Sequence, residues 1–280
     1  MKPTFIVIGA ARSGTTSLFQ YFDAHPDIFM SQVKELNFFS NEKYWNKGFK
    51  WYEANFPGDQ NQYKAVGEIS PSYTKAPFTE DVVSRIHDYA SDVKLIYVVR
   101  NPMERCISHY LHRVQRGYET RHFSDILGNL PNEAFAAQGL YHYQLQQYLK
   151  AFPKEQLLVI SFDNLKKHTQ ETVSQIYDFI GVESRFEHEE TDKVFYANNE
   201  IILKGTLGLK ILNFYHQHIE QRNVPYPLKK AIMNASNWGG TPIGKPKLDE
   251  QQKAVLDGFY REDSAKLSQD YGIETQHWYK

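Results

Sequence analysis

The sequence predicts an α/β fold: a doubly wound, mostly parallel central sheet with a P-loop-like phosphate cradle, helices on both faces and a helical C-terminal cap. Three observations lead there. A β-branched apolar run, Phe5 to Ile8, breaks at Gly9 and resumes after Gly14 as a helical pattern with Leu18, Phe19 and Phe22. Lys94 to Val99 is apolar without alternation after its lysine, the mark of a strand buried on both faces. Strand-like and helical stretches then follow each other in turn, the order of a parallel sheet with crossover helices.

In chain order, His25-Pro26-Asp27 reads as a turn and Ile28 to Met30 as a short second strand. Ser31 to Ser40 is a polar-to-aromatic connection, and residues 41 to 64 lack clean periodicity. Ala65 to Ile69 is a brief strand, stopped by Pro71, and a helix is expected over Thr79 to Tyr89 with Val82, Val83 and Ile86 on one face. After the central strand, Asn101, Pro102 and Glu104 have the spacing of an N-cap, N1 proline and capping box. Met103, Ile107, Tyr110, Leu111 and Val114 give the following helix an apolar stripe. Tyr141 to Phe152 forms another helix, Leu157 to Ser161 another strand, and a helix through Val173 and Ile180 ends at Gly181. Ile201 to Asn237 reads as a helical periphery, Asn237 to Pro242 as a loop, and Asp249 with Gln252 caps a last helix. No repeat or linker divides residues 1–280, so one domain is expected.

Composition excludes several classes. A net charge of −1 gives no general attraction to nucleic acid or to a membrane, so anionic ligands must be held locally. Cys106 is the only cysteine, which rules out an internal disulfide and a multi-cysteine metal site. No apolar run reaches the length of a membrane span, and the first strand starts too early for a leader. A cytoplasmic protein is the expectation.

The loop after the first strand is built for an anion. Loop and first-turn amides lack intrahelical partners, and the helix dipole adds partial positive charge. Arg12 supplies a full charge, and Ser13, Thr15, Thr16 and Ser17 supply hydroxyls around Gly14. The standard triphosphate loop needs lysine directly after its second glycine, where this chain has Thr15. A second anion site is expected at Arg100, which closes the central strand, with Ser108 in the next helix. Helical spacing puts Asn101, Arg105, Ser108 and His112 on one face. Triphosphate-hydrolysing proteins normally end such a strand with Asp to hold magnesium. Arginine there suits a phosphate directly, so two separated sites without a metal carboxylate point to a nucleotide phosphorylated at two positions. A kinase-like phosphotransferase and a catalytically silent binding module remain as alternatives.

These stretches resemble the sulfotransferases that use 3′-phosphoadenosine 5′-phosphosulfate (PAPS), above all the heparan sulfate glucosaminyl branch and its bacterial relatives. Gly9 to Leu18 is similar to the family's 5′-phosphosulfate loop, and Val98 to Tyr110 to its 3′-phosphate motif. Lys34 to Phe39 resembles the segment whose glutamate is the catalytic base, and Gly67 to Tyr73 the one that follows. Gly139 to Tyr141 and Lys245 to Asp249 match later family segments. The resemblance implies that Glu35 is the base, with Glu68 in reserve, and that Arg12 acts at the transferred group. It brings Arg12, Ser13, Gly14, Thr15, Thr16, Ser17, Arg100, Ser108, Tyr141 and Lys245 into the nucleotide site, with no metal. It also implies adenosine 3′,5′-bisphosphate as product and a hydroxyl or amine acceptor, a carbohydrate or small alcohol. His109 and His112 would be neighbours of the second phosphate, while Phe38, Phe39, Tyr73 and Trp45 could stack on a sugar. The chain departs from the family pattern at Arg12 and Ile69, where lysines are usual, and in its single cysteine.

Overall fold

The computed structural model describes residues 1–186, 201–219 and 224–280. Five parallel strands form the sheet: β1 (Phe5–Gly9), β2 (Ile28–Met30), β3 (Ala65–Ile69), β4 (Lys94–Val99) and β5 (Leu157–Ser161). Their order is β2-β3-β1-β4-β5, which puts β1 at the centre. The register aligns Val7 with Ile69 and Ile96, and Val99 with Ser161, so the carboxyl ends share one edge. A crevice at that edge, beside the strand where the winding reverses, is where an open sheet binds ligands.

Alternation along the buried strands separates two cores, because successive side chains leave opposite faces. Phe5, Val7, Ile96 and Val98 meet Leu18 and Phe22 of helix α1 (Thr15–Ala24) on one side. On the other, Ile6, Ile8, Leu95 and Tyr97 pack in one core with the aromatic segment holding short helices α2 (Glu42–Trp45) and α3 (Gly48–Glu53). Ile86 of α4 (Val82–Tyr89) belongs to that same core. Each buried aliphatic or aromatic side chain contributes roughly 1.5–3 kcal/mol. Residues 41 to 64 lack periodicity because their aromatics pack as a cluster, Phe38 against Tyr52 at 4.6 Å and Tyr44 against Trp51 at 5.4 Å.

Helix α5 (Pro102–Gln115) follows β4, then come α6 (Phe123–Leu127), α7 (Ala134–Ala137) and α8 (Tyr141–Tyr148). After β5 the chain forms α9 (Phe162–Lys167) and α10 (Thr169–Ile180), and α10 returns Val173, Ile176 and Tyr177 to the α1 side. Antiparallel strands β6 (Ile201–Leu203) and β7 (Thr241–Ile243) flank α11 (Thr206–His218) and α12 (Tyr226–Ala235). The last helix, α13 (Glu250–Tyr271), has the expected Asp249/Gln252 capping box and ends at left-handed Gly272.

Four local expectations need correction. Helix α4 starts at Val82, three residues later than its period suggests, and Val83 is half-buried. Asn101 caps α5, accepting from the Met103 and Glu104 amides, but the Glu104 carboxylate turns to Arg100 and does not close a capping box. Arg105 and Cys106 occupy the inner face of α5, while Met103 and Leu111 are only half-buried. Burial of Arg105 is made tolerable by the Phe135 and Ala136 carbonyls and by His109. Thr241 and Pro242, read as loop, belong to β7, and Ile201 to Leu203, read as helical, form its partner β6. Residues 220–223 of the helical periphery lie outside the described residues.

Candidate functional site

The cradle begins where β1 ends. Gly9 has no room for a side chain: a Cβ would lie 2.4 Å from Thr74 Oγ1 and 2.7 Å from the Tyr97 ring. Gly14 is the N-cap of α1 at φ 83°, and its Cβ would meet the Phe162 ring at 2.8 Å. Glycine is therefore required twice, for conformation and for closeness. No side chain caps α1, and its first backbone bond runs from Leu18 N–H to Gly14 O. The preceding amides point out of the helix end with the positive end of its dipole. Thr16 is exposed at this mouth, Ser17 is half-exposed, and Ser13 and Thr15 are buried beneath it.

Arg12 joins this loop to Arg100 and Ser108, where a second anion site is expected. Its Nε donates to Ser108 Oγ at 3.2 Å, across a separation of 96 residues. Arg100 in turn donates from Nη1 to the Arg12 carbonyl at 3.2 Å. Arg12 adopts φ 72°, so the loop holds a non-glycine residue in the left-handed region. Partial desolvation lowers the Arg12 pKa, the nearby Arg100 charge lowers it further, and Glu35 opposes both. Two cations sharing a wall are arranged for a multiply charged anion, which would remove their repulsion.

Arg100 is held from several sides. Its guanidinium lies over the Phe162 ring at 5.1 Å and pairs with Glu104 at 2.8 Å, while its buried Nε has no hydrogen-bond partner among the described residues. The Tyr141 hydroxyl donates to the Arg100 carbonyl at 2.7 Å and accepts from its amide at 3.3 Å. Tyr141 is fully buried, its pKa pushed up to about 12 by desolvation, so it supports the turn from below and is not part of the open surface.

Lys34 and Glu35 form the opposite rim. Lys34 Nζ donates to Thr16 Oγ1 at 2.7 Å and lies 3.6 Å from Glu35 Oε1. The Glu35 carboxylate is half-exposed at 48%. Its amide bonds the Ile69 carbonyl at 3.1 Å, fixing the loop to the end of β3. Glu35 and Asn37 have φ 61° and 51°, and Asn37 is stitched to Ser70 and Ser72. Non-glycine residues in this region cost on the order of 1–3 kcal/mol and persist only where surroundings hold them, commonly at functional sites.

The sequence-predicted residues are thus largely brought together: Arg12 to Ser17 with Arg100 and Ser108 on one wall, Glu35 at the rim, and Tyr141 beneath. Lys245 is not tied to them: it is exposed in the coil between β7 and α13, and among the described residues no hydrogen bond or ion pair joins it to the cradle. Arg105 and His109 also leave the site, since both turn toward the Phe135 side of α5. His112 stays nearer, its pKa lowered to about 4 by burial and then by Arg12, Arg116 and Arg113. Phe38 and Phe39 are fully buried core, Tyr73 almost so, and Trp45 packs half-buried on Phe38, so none is an open stacking platform. Ile69, where the family lysine is missing, is buried in the α1-side core. The residues that sequence reasoning passed over are Lys34, which contacts the cradle hydroxyl, and Phe162, which backs both Gly14 and Arg100. Lys34 was legible as the neighbour of Glu35; no sequence signal linked Phe162 to the site.

Glu68 is placed apart from the rim. It is fully buried on the face of β3 toward Tyr52 and Tyr73, and burial raises its pKa from 4.5 to about 8 against the effect of those hydroxyls. It has no exposed edge from which to meet an acceptor. An acid whose folded pKa is raised is protonated in the fold while ionised in the unfolded chain, so folding takes up a proton between those values. The expected result is that native stability falls as pH rises from about 5 to 8, and that Glu68→Gln flattens this fall. Parallel melting curves for both proteins across that range would contradict it.

A family model described as "Sulfotransferase domain" matches residues 2–268. Heparan sulfate glucosamine 3-O-sulfotransferase 6 of Mus musculus is 30% identical over 203 residues, covering 70% of this chain and 56% of that protein. Heparan sulfate glucosamine 3-O-sulfotransferase 3B1 of Homo sapiens is 29% identical over 278 residues, covering 96% of this chain and 63% of that one. The chain therefore spans a little over half the length of these relatives. The crystal structure of a sulfotransferase from Alicyclobacillus acidocaldarius superposes over 100% of both chains with a TM-score of 0.70 at 24% identity, a likeness of fold.

Proposed function

The chain belongs to the sulfotransferase domain family, and from that premise we propose that this enzyme moves a sulfuryl group from PAPS to a hydroxyl or amine, with Glu35 as general base. The observation that supports this most is the double link from Arg12 to Ser108 and from Arg100 to Arg12, which turns two anion sites into one wall. The uncapped start of α1 and the orphaned Arg100 Nε fit a nucleotide with a 5′-phosphosulfate and a 3′-phosphate. The loop amides and the Ser13 to Ser17 hydroxyls would hold the first group, Arg100 and Ser108 the second, and Arg12 both. PAPS supplies an activated sulfuryl group on a phosphate that leaves as adenosine 3′,5′-bisphosphate.

The chain does the remaining work. Glu35 takes the proton of the acceptor as it attacks, an effect typically of ~10²–10⁴-fold. Lys34 and Arg12 stand where negative charge grows on the departing phosphate, and preorganised donors there contribute on the order of 10²–10³-fold each. The Lys34–Glu35 pair is half-exposed, so it stabilises the fold little and can open when ligands enter. By analogy with the heparan sulfate relatives, the acceptor is a carbohydrate or small alcohol. Residues 1–280 are taken as one domain, and the single buried thiol of Cys106 suits the cytoplasm.

Calorimetry is the test. Adenosine 3′,5′-bisphosphate is expected to bind without metal and far more tightly than ATP with magnesium. Transfer from labelled PAPS to an acceptor panel is expected to survive a chelator. Preference for ATP, or activity restored only by magnesium, would favour phosphotransfer. Tight binding with no transfer to any acceptor would favour a silent relative.

A further inference from the structure

Residues 201–219 and 224–245 build an arm of two strands and two helices outside the cradle loop and α5. Ile201, Leu203 and Ile243 of its β6–β7 base pack on the α5 core. Leu212 and Tyr215 of α11 are buried, and His216 Nε2 lies 3.1 Å from the Arg116 carbonyl. Among the described residues, the opposite face of the same helix pair is uncovered. Leu207, Ile211 and Phe214 recur at i, i+4 and i+7 on α11, and Leu228, Ile232 and Ala235 at the same spacing on α12. The two stripes meet at a groove of about 470 Å³, lined by Ile211, Phe214, Ile232 and Ala235 with Lys210 at its edge. Leu207, Phe214, Leu228 and Trp238 are 53%, 57%, 53% and 75% exposed. Single exposed apolar residues are ordinary, but two facing stripes form a patch of the kind that marks an interaction site.

Charge identifies the partner. Between residues 201 and 245 the sequence has one carboxylate, Glu220, against six cationic side chains, in a chain whose net charge is −1; Lys204 is buried against Asn237, and Lys210, Lys230 and Lys245 are exposed. Lysine is depleted at the cores of protein–protein interfaces. Lysine beside a stripe of Leu, Phe and Trp is instead the composition of helices that lie in the bilayer interface. Among the described residues, no helix is long and apolar enough to cross a membrane, so contact would be lateral. We propose that the α11–α12 face docks on an anionic lipid bilayer. Phe214 and Trp238 enter the headgroup region, and Lys210 and Lys230 meet the anionic headgroups.

The test uses the full chain and needs no nucleotide or acceptor, so its outcome is separate from that of the enzymatic reading. The protein is sedimented with vesicles of phosphatidylcholine containing phosphatidylglycerol, and with phosphatidylcholine alone. Binding is expected only to the first, weakened by salt, with a blue shift of tryptophan emission. Lys210→Glu with Lys230→Glu is expected to lower affinity on the order of tenfold or more. Phe214→Ser with Trp238→Ser is expected to abolish both binding and the shift, while thermal melting shows each variant folded. Failure of the unaltered chain to sediment with anionic vesicles would overturn the proposal, as would binding indifferent to both double variants. A dimer dispersed by Phe214→Ser with Trp238→Ser would assign the face to a second copy and also overturn it.

Discussion

Glu35→Gln is expected to lower turnover on the order of 10²-fold or more while leaving affinity for adenosine 3′,5′-bisphosphate nearly unchanged. The substitution keeps the shape of a half-exposed side chain whose backbone is held by the Ile69 carbonyl, and removes only the proton acceptor. Loss of a general base acts on the transition state, so kcat and kcat/KM should fall together with little change in nucleotide binding. If Lys34 and Glu35 were only a surface ion pair, the same change would cost ~0–1 kcal/mol of stability and little activity. Glu68→Gln is the matched comparison. Because Glu68 is sealed beneath the sheet edge, that variant should alter the pH dependence of stability and spare turnover. Near-normal turnover of the Glu35 variant would remove it as base. His112, near Arg12 and neutral at pH 7, would then be the next residue to test.

Arg100→Ala is expected to weaken adenosine 3′,5′-bisphosphate by roughly ten- to a hundredfold and adenosine 5′-phosphate far less. Hydrogen bonds to charged groups contribute roughly 1.5–3 kcal/mol, and about 1.4 kcal/mol is tenfold in affinity. Arg100 is suited to this because Phe162 and Tyr141 hold its plane and its backbone, so little freedom is lost on binding. Arg100→Lys should recover only part of the affinity, since an ammonium lacks the planar fork and the stacking. Ser108→Ala should show the same selectivity with a smaller loss, because it removes a neutral hydroxyl and not a charged donor. Equal losses for both nucleotides, measured by calorimetry, would remove the 3′-phosphate assignment.

The elements that sequence determined by itself are those set by near neighbours. An unalternating run at Leu95 to Val99 can be satisfied only between two layers, and Gly14 followed by hydroxyl residues marks a helix start open to an anion. Asn101 before Pro102, and Asp249 before Gln252, stop or start helices through groups two or three positions away. Such signals survive without tertiary context, which is why the strand ends and the cradle were legible. Tertiary packing decided which polar groups face solvent and which meet. Glu68 lies within β3, next to its last residue, and Glu35 a few residues beyond β2, yet one lies under aromatic rings and the other on an open rim. Arg105 and Ser108 share a helix face by spacing, yet the carbonyls after α6 draw Arg105 inward and leave Ser108 to Arg12. Lys245 matches a family segment by sequence, and the fold leaves it in the exposed coil that follows β7, which is tied to β6. Helix and strand periods specify a side chain's direction relative to its own axis. Only the packing of distant segments specifies what that direction meets.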